Sequence, residues 1–256
     1  MNKYRKLLNN TLIFAIGTFG SKLLSFILVR LYTGCMTTEQ YGTADLLYQA
    51  VNVIYPIVTL SMADALIRFG IDKAYDNKKI YTIALTTTAG GLAVLLLFTP
   101  LINSLEAFRG YGLLLFVYCF FSSFKQLAAS FVRARGLVKL FAVDGIFSTL
   151  IIVVSNLILL LKFDLGVTGY VCSIIISDAL SLLGLIVISE LYKFFDIKSL
   201  DKSLFKEIIK YSLPLVPTYI LWWITSASDR YFVIAMVSSA ENGIYSAAHK
   251  IPTLLL

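Results

Sequence analysis

The strongest constraint on this chain is a succession of long apolar runs, at about Thr11–Thr33, Ala44–Ile67, Tyr81–Ile102, Gly112–Phe131, Gly145–Leu161, Val167–Ser189 and Ser212–Val237. A bilayer core about 30 Å thick takes roughly 20 mainly apolar residues per helical crossing, so each run predicts a spanning helix. An eighth begins near Gly243. Hydrophobic residues make up 58% of the 256 and charged residues only 14%, too few polar groups to cover a soluble domain. The expected fold is all-α: a polytopic transmembrane helical bundle of about seven complete helices plus the start of an eighth.

The net charge of +7 raises the question of a nucleic-acid partner, and its distribution answers it. Basic residues gather in the N-terminal tail (Lys3, Arg5, Lys6) and in every second connection: Arg68, Lys73, Lys78 and Lys79; Arg133, Arg135 and Lys139; Lys193, Lys198, Lys202, Lys206 and Lys210. The intervening connections hold only Arg109 and Lys162. Such alternation is the positive-inside pattern and predicts a cytoplasmic N-terminus. The charge reports topology, and no nucleic-acid partner is expected. The first run exceeds 20 residues, carries Lys22 and lacks a small-x-small cleavage site, which predicts a retained helix rather than a signal peptide. Cys35, Cys119 and Cys172 have no paired spacing and read as packing residues.

Three regions are expected: a six-helix bundle over residues 1–189, a cytoplasmic amphipathic linker over 190–211, and the start of a second bundle over 212–256. In the linker, Leu200, Leu204, Phe205, Ile208 and Ile209 recur at helical spacing among charges. After it the pattern repeats. An offset of 201 carries Ser25 to Ser226, Thr37-Thr38 to Ser238-Ser239, Gly42 to Gly243 and Tyr48-Gln49 to His249-Lys250. Internal repeats are common in transporters, and on this reading the chain ends two helices into a second half.

Polar residues inside the runs are costly and mark a bundle interior or a water-filled cavity. At about 100° per residue, Thr11, Thr18, Lys22, Ser25, Arg30 and Thr33 fall within an arc of roughly 140°. Asp45, Tyr48, Gln49, Asn52, Tyr55, Pro56 and Thr59 share another arc, Tyr118, Ser122, Lys125 and Gln126 a third, and Thr218, Trp222, Thr225, Ser226, Asp229 and Arg230 a fourth. Four polar stripes predict a shared hydrophilic interior. Lys22, near mid-helix, needs a partner, and Asp178 is the expected one; Asp64 and Arg68 read as a local i, i+4 pair. Adjacent helical residues diverge by about 100°, so Asp229 and Arg230 are expected to look elsewhere. Asp229 would brace a cation such as Arg30, leaving Arg230 to phosphate or headgroups. Pro56 and the pair Pro214/Pro217 are expected to bend their helices. No P-loop, metal-ligand spacing or Ser/His/Asp set is present in the sequence, so no enzyme activity and no cofactor are expected.

The stretches NNTLIFAIGTFGSKLLSFILVRLYT, TTEQYGTADL, YSLPLVPTYILWWITSASDRYFV and ENGIYSAAHKIP resemble Wzx-type polysaccharide biosynthesis membrane proteins, oligosaccharide flippases of the multidrug/oligosaccharidyl-lipid/polysaccharide exporter superfamily. The resemblance implies a multi-pass protein of the bacterial cytoplasmic membrane, built from two similar bundles, that turns polyprenyl-diphosphate-linked sugar units across the bilayer by alternating access. It implies membrane lipids, the lipid-linked oligosaccharide, and glycosyltransferases or a polymerase as partners. The substrate-binding candidates are Lys22, Arg30, Gln49, Asn52, Lys125, Trp222, Asp229 and Arg230. Cations suit the phosphates by charge-assisted hydrogen bonds, while amide and aromatic groups suit the sugar. Two other readings stand beside this one: a cation-coupled multidrug exporter, for which Asp45, Asp178 and Asp229 would be available, and a non-transporting membrane scaffold.

Overall fold

The computed structural model describes residues 28–253, with their side chains except at 199 and 250–253. Every regular element among the described residues is helical. A first helical segment, α1, is seen over 28–35. It is followed by α2 (Thr38–Thr59), α3 (Met62–Gly70), α4 (Asn77–Ser104), α5 (Gly112–Ala134), α6 (Val138–Asn156, continued by a π turn over Leu157–Lys162), α7 (Gly166–Ile188), α8 (Lys202–Ser212), α9 (Leu215–Met236) and α10 (Ser239–Thr253).

Local chemistry sets these boundaries. Thr37 opens α2 with a reciprocal capping box: its Oγ1 accepts from the Gln40 N–H at 3.1 Å, and Gln40 Oε1 accepts from the Thr37 N–H at 3.0 Å. The helix continues past Pro56, where a bend is expected, and remains helical to Thr59. It stops at Leu60 and Ser61, both in the left-handed conformation (φ 49° and 53°), and α3 leaves at 56°. The Pro56 carbonyl accepts from the Ser61 N–H at 3.1 Å and from the Leu60 N–H. Pro214 and Pro217 lie at the entry to α9. They stand at its N-cap and in its first turn, where a missing backbone donor leaves no bond unmade.

Length and composition identify four membrane-spanning helices among the described residues, α4, α5, α6 with its π turn, and α7, or five if the bent pair α2/α3 is one span. The expected count of seven is therefore met only in part. Most of the first apolar run lies outside the described residues. Helix α9 is 22 residues long, but Trp222, Trp223, the hydroxyl residues, Asp229 and Arg230 make it less apolar than its neighbours.

Apolar side chains cover much of the outer surface, and polar groups are buried within an interior that is itself largely apolar. Leu97, Leu101, Leu113, Val143, Val187 and Leu221 are exposed, while Asp45, Asp144, Asn156, Ser173, Ser177, Asp178, Ser181 and Arg230 are buried. Helix α7 packs between α5 and α6, and α2 lies against α4, α5, α7, α9 and α10. Two apolar clusters divide the interior. Near the start of α2, Tyr32, Tyr41 and Tyr170 stack with ring centroids 4.9 to 6.4 Å apart, and Asn156 Nδ2 donates to the Tyr32 hydroxyl at 3.1 Å. At the other end, Met62, Leu66, Ile83, Leu127 and Phe131 pack with Leu204 and Ile208 of α8.

Helix α8 shows part of the amphipathic pattern read from the sequence: Leu204 and Ile208 face inward and Ile209 is half-buried, while Phe205, like Lys202, Lys206 and Lys210, is exposed, and Leu200 lies before the helix. It is tied down by polar contacts to the basic connections. Asp201 caps it, accepting from the Ser203 and Leu204 N–H groups at 2.9 and 3.3 Å, and also receives Lys79 Nζ at 3.2 Å. Tyr75 donates to Glu207 at 2.6 Å. The Lys79 bond first, then the two backbone donors, hold the Asp201 carboxyl below its ordinary value. A depressed carboxylate stabilises the fold above its unfolded pKa of about 4 and loses that contribution as pH falls through the lower folded value. Asp201→Ala should therefore lower the melting temperature in detergent more than Asp201→Asn at pH 7, with the differences shrinking below the ordinary carboxylate range. Equal melting of all three proteins at neutral pH would show that the cap does not hold α8.

Candidate functional site

The first turns of α2 and α10 cross in direct backbone contact. A Cβ built on Gly42 would lie 2.1 Å from the Ser239 carbonyl oxygen, and one on Gly243 would lie 1.9 Å from the Thr38 carbonyl oxygen. No side chain fits at either position, so both must be glycine. The contact is reciprocal under the offset of 201: Thr38 corresponds to Ser239 and Gly42 to Gly243. Each helix brings the same small-xxx-small motif to the crossing, the arrangement that allows membrane helices to approach closely. Two further contacts follow the register. Asn242 Nδ2 donates to the Gly42 carbonyl at 3.1 Å, and Ser246 Oγ donates to Asp45 Oδ2 at 2.8 Å.

One turn further in, Arg230 of α9 meets this pair of helices. Its Nε lies 2.8 Å from Asp45 Oδ2, and the two side chains are 3% and 1% exposed. The Nε–H does not point along a hydrogen-bond line, so the contact is an ion pair held by Coulomb attraction in a dry setting. The rest of the guanidinium is held by Nη1, which donates to the Ser226 carbonyl at 2.9 Å, and by Nη2, which faces His249 Nδ1 at 3.2 Å. Asp229 sits beside it. Its Oδ1 accepts from the Arg230 N–H at 2.9 Å and lies 3.4 Å from Nη1, while Oδ2 accepts from the Tyr245 hydroxyl. Trp223 fastens α9 to α2, its Nε1 donating to the Gln49 carbonyl at 2.8 Å.

This geometry corrects three expectations. Arg230 does not face phosphate or headgroups: it is buried and neutralised by Asp45. Asp229 does not brace Arg30, because its carboxylate folds back on its own helix and onto Tyr245. Adjacency did not prevent contact with Arg230, since a short carboxylate reaches the next backbone N–H. Arg30 is exposed, with no ion pair among the described residues. The fourth polar stripe also divides. Thr218, Trp222 and Thr225 are exposed, while Ala227 and Arg230 turn inward. Asn52 is exposed and donates to the half-buried Gln49 at 3.4 Å.

Lys125 belongs to a second cluster, between α5, α6 and α7. Its Nζ lies 3.7 Å from Asp178 Oδ1, and Ser122 donates to Asp178 Oδ2. Asp178, expected to serve Lys22, thus has another cation; Lys22 itself lies outside the described residues. Asp64 does not pair with Arg68, which reaches Asp72 at 3.9 Å; it accepts instead from the Tyr219 hydroxyl at 2.9 Å. Across from Asp178, Ser181 donates to Asp144, and Ser177 Oγ donates to the Ser148 carbonyl at 2.8 Å. Asp144 was missed because α6 begins at Val138, seven residues before the apolar run. The i, i+4 pair Asp144/Ser148 facing Ser177/Ser181 was the available signal.

A family profile described as polysaccharide biosynthesis protein matches residues 7–256. The chain belongs to that family. Among solved structures, this family member overlays on a chain described as protein A (TM-score 0.70, 14% identity, covering 97% of this chain and 60% of that one). It also overlays on MATE in complex with MaL6 (TM-score 0.68, 16% identity, 94% and 59%) and on MATE in complex with Br-NRF (0.65, 17%, 96% and 64%). These likenesses show a shared fold, and the chain spans about 60% of the length of those structures. The comparison with curated proteins returns no significant match.

Breaking a buried ion pair from one side leaves an uncompensated charge, at a cost of about 3–5 kcal/mol. Arg230→Met and Asp45→Leu in this polysaccharide biosynthesis protein should each destabilise it on that scale, and the double variant should recover most of the loss. Additive effects in a double-mutant cycle followed by unfolding in detergent would show that the two groups are not coupled.

Proposed function

We propose that this protein translocates a polyprenyl-diphosphate-linked oligosaccharide across the bacterial cytoplasmic membrane by alternating access. Family membership and a MATE-like fold support a multi-pass membrane transporter. The observation that carries the finer reading is the asymmetry of the α2–α9 seam. At the α2/α10 end the seam is closed by the glycine crossing and the Asp45–Arg230 pair. At the end that carries the basic connections, where α3 continues α2, a cavity of about 470 Å³ opens between α3, α8 and α9, lined by Asp64, Tyr211, Leu215, Thr218, Tyr219 and Trp222. With the basic end cytoplasmic, the arrangement is closed outward and open inward.

The lining suits a sugar. The exposed faces of Trp222 and Tyr219 offer flat apolar surface to a pyranose ring, and the Asp64 carboxylate and Thr218 hydroxyl offer hydrogen-bond partners to its hydroxyls. The diphosphate then falls to cations near the mouth, with Arg68 on α3 lining an adjoining cavity of about 370 Å³. Arg230 acts in closure rather than in binding, since Asp45 already occupies it.

The buried carboxylates Asp45, Asp144 and Asp178 favour a second reading, a cation-coupled exporter of organic cations. Reconstitution separates the two. Full-length protein in vesicles should transfer a labelled lipid-linked glycan between leaflets, and Trp222→Ala should slow transfer by about fivefold or more, as loss of apolar contact worth about 1–3 kcal/mol implies. Absence of transfer together with efflux of cationic dyes from whole cells would replace the flippase reading with the exporter.

A further inference from the structure

The ion pair at the crossing has a neighbour that none of the foregoing uses. His249 of α10 presents Nδ1 to Arg230 Nη2 at 3.2 Å. A guanidinium has only donors, so this contact requires an unprotonated Nδ1 and hence a neutral imidazole with its proton on Nε2. A proton on Nδ1 replaces the acceptor with a donor and sets two cations against each other. The Arg230–His249 contact and a protonated His249 exclude one another.

Charged and titratable groups reach the site from three helices. From α9 come Asp229 and Arg230; from α2, Asp45 and Tyr41, which packs beside it; from α10 itself, Tyr245, whose ring centroid is 6.2 Å from the imidazole, and Ser246. Among the described side chains, Asp45 and Asp229 stand against the single guanidinium of Arg230, so an imidazolium displaced from Arg230 has a carboxylate to turn to once the crossing parts. His249 is half-buried, whereas Asp45 and Arg230 are sealed.

We infer that His249 is a proton-binding site whose occupation loosens the α2/α10 crossing. The closed arrangement, with Arg230 shared between Asp45 and His249 and with Gly42 and Gly243 in backbone contact, binds the proton poorly. An arrangement in which α10 has moved off α2 and α9 binds it well. By linkage, acid on that side of the membrane favours opening to the same degree that opening favours proton uptake. The inference rests on the alternating-access reading, in which the crossing must part once per cycle.

The test needs no substrate, so its failure and the failure of the flippase reading are distinguishable. Spin labels on Glu39→Cys and Glu241→Cys, exposed positions flanking the crossing, report its separation in lipid nanodiscs. The background is the full-length protein with Cys35, Cys119 and Cys172 replaced by alanine. On shifting from pH 8 to pH 5.5 the short-distance population should fall relative to the long one by several-fold, within the roughly 5- to 150-fold range of coupled sites. His249→Gln keeps an acceptor for Arg230 but cannot gain a proton, and should stay closed at both pH values. His249→Lys carries a fixed cation and should be open at both. A pH-independent distance in the parent protein, or a His249→Gln variant that opens with acid as the parent does, overturns the inference.

Discussion

A guanidinium can stay charged inside a bundle whose outer surface is Leu, Val and Phe only if an anion meets it and its remaining donors are occupied. Asp45 supplies the anion to Arg230, and Ser226 and His249 take two of the other donors. Three helices are committed by this one group, because Asp45 comes from α2, Arg230 from α9 and His249 from α10. The exposed apolar face of the protein follows from the same rule. Lipid offers no hydrogen bonds, so polar chemistry must be finished internally and what faces outward must be hydrocarbon.

The close approach of α2 and α10 is what lets that polar chemistry finish. Ser246 reaches Asp45 and Asn242 reaches the Gly42 carbonyl because two glycines let the backbones meet. Packing and electrostatics are here one arrangement. Side chains at 42 and 243 would push the helices apart, and the carboxylate would lose its serine as well as its position beside Arg230.

Much of this was legible in the sequence. The apolar runs announced a helical membrane bundle, Leu204 and Ile208 announced the buried face of α8, and the offset of 201 matched Gly42 with Gly243 before any contact was known. Other features were hidden for definable reasons. Helical-wheel angles place a side chain on an arc but do not say which neighbour meets that arc, so Arg230 was read as facing headgroups when it faces Asp45. Asp229 was assigned a distant partner because the wheel ignores a carboxylate folding back onto the next backbone N–H. The break after α2 was placed at Pro56, the residue with the obvious local chemistry, whereas the left-handed pair lies at Leu60 and Ser61, which carry no such mark. Asp144 was lost because the hydrophobic run begins later than the helix that holds it.

That break has a mechanical consequence. Helix α2 is bonded into the tyrosine cluster and the crossing, while α3 is packed with α5 and α8 in the other apolar cluster. One pass of the chain is thus two levers on a pivot rather than a single rod. Leu60 and Ser61 alone turn the chain by 56° between the two apolar clusters, so no single rigid helix runs through both.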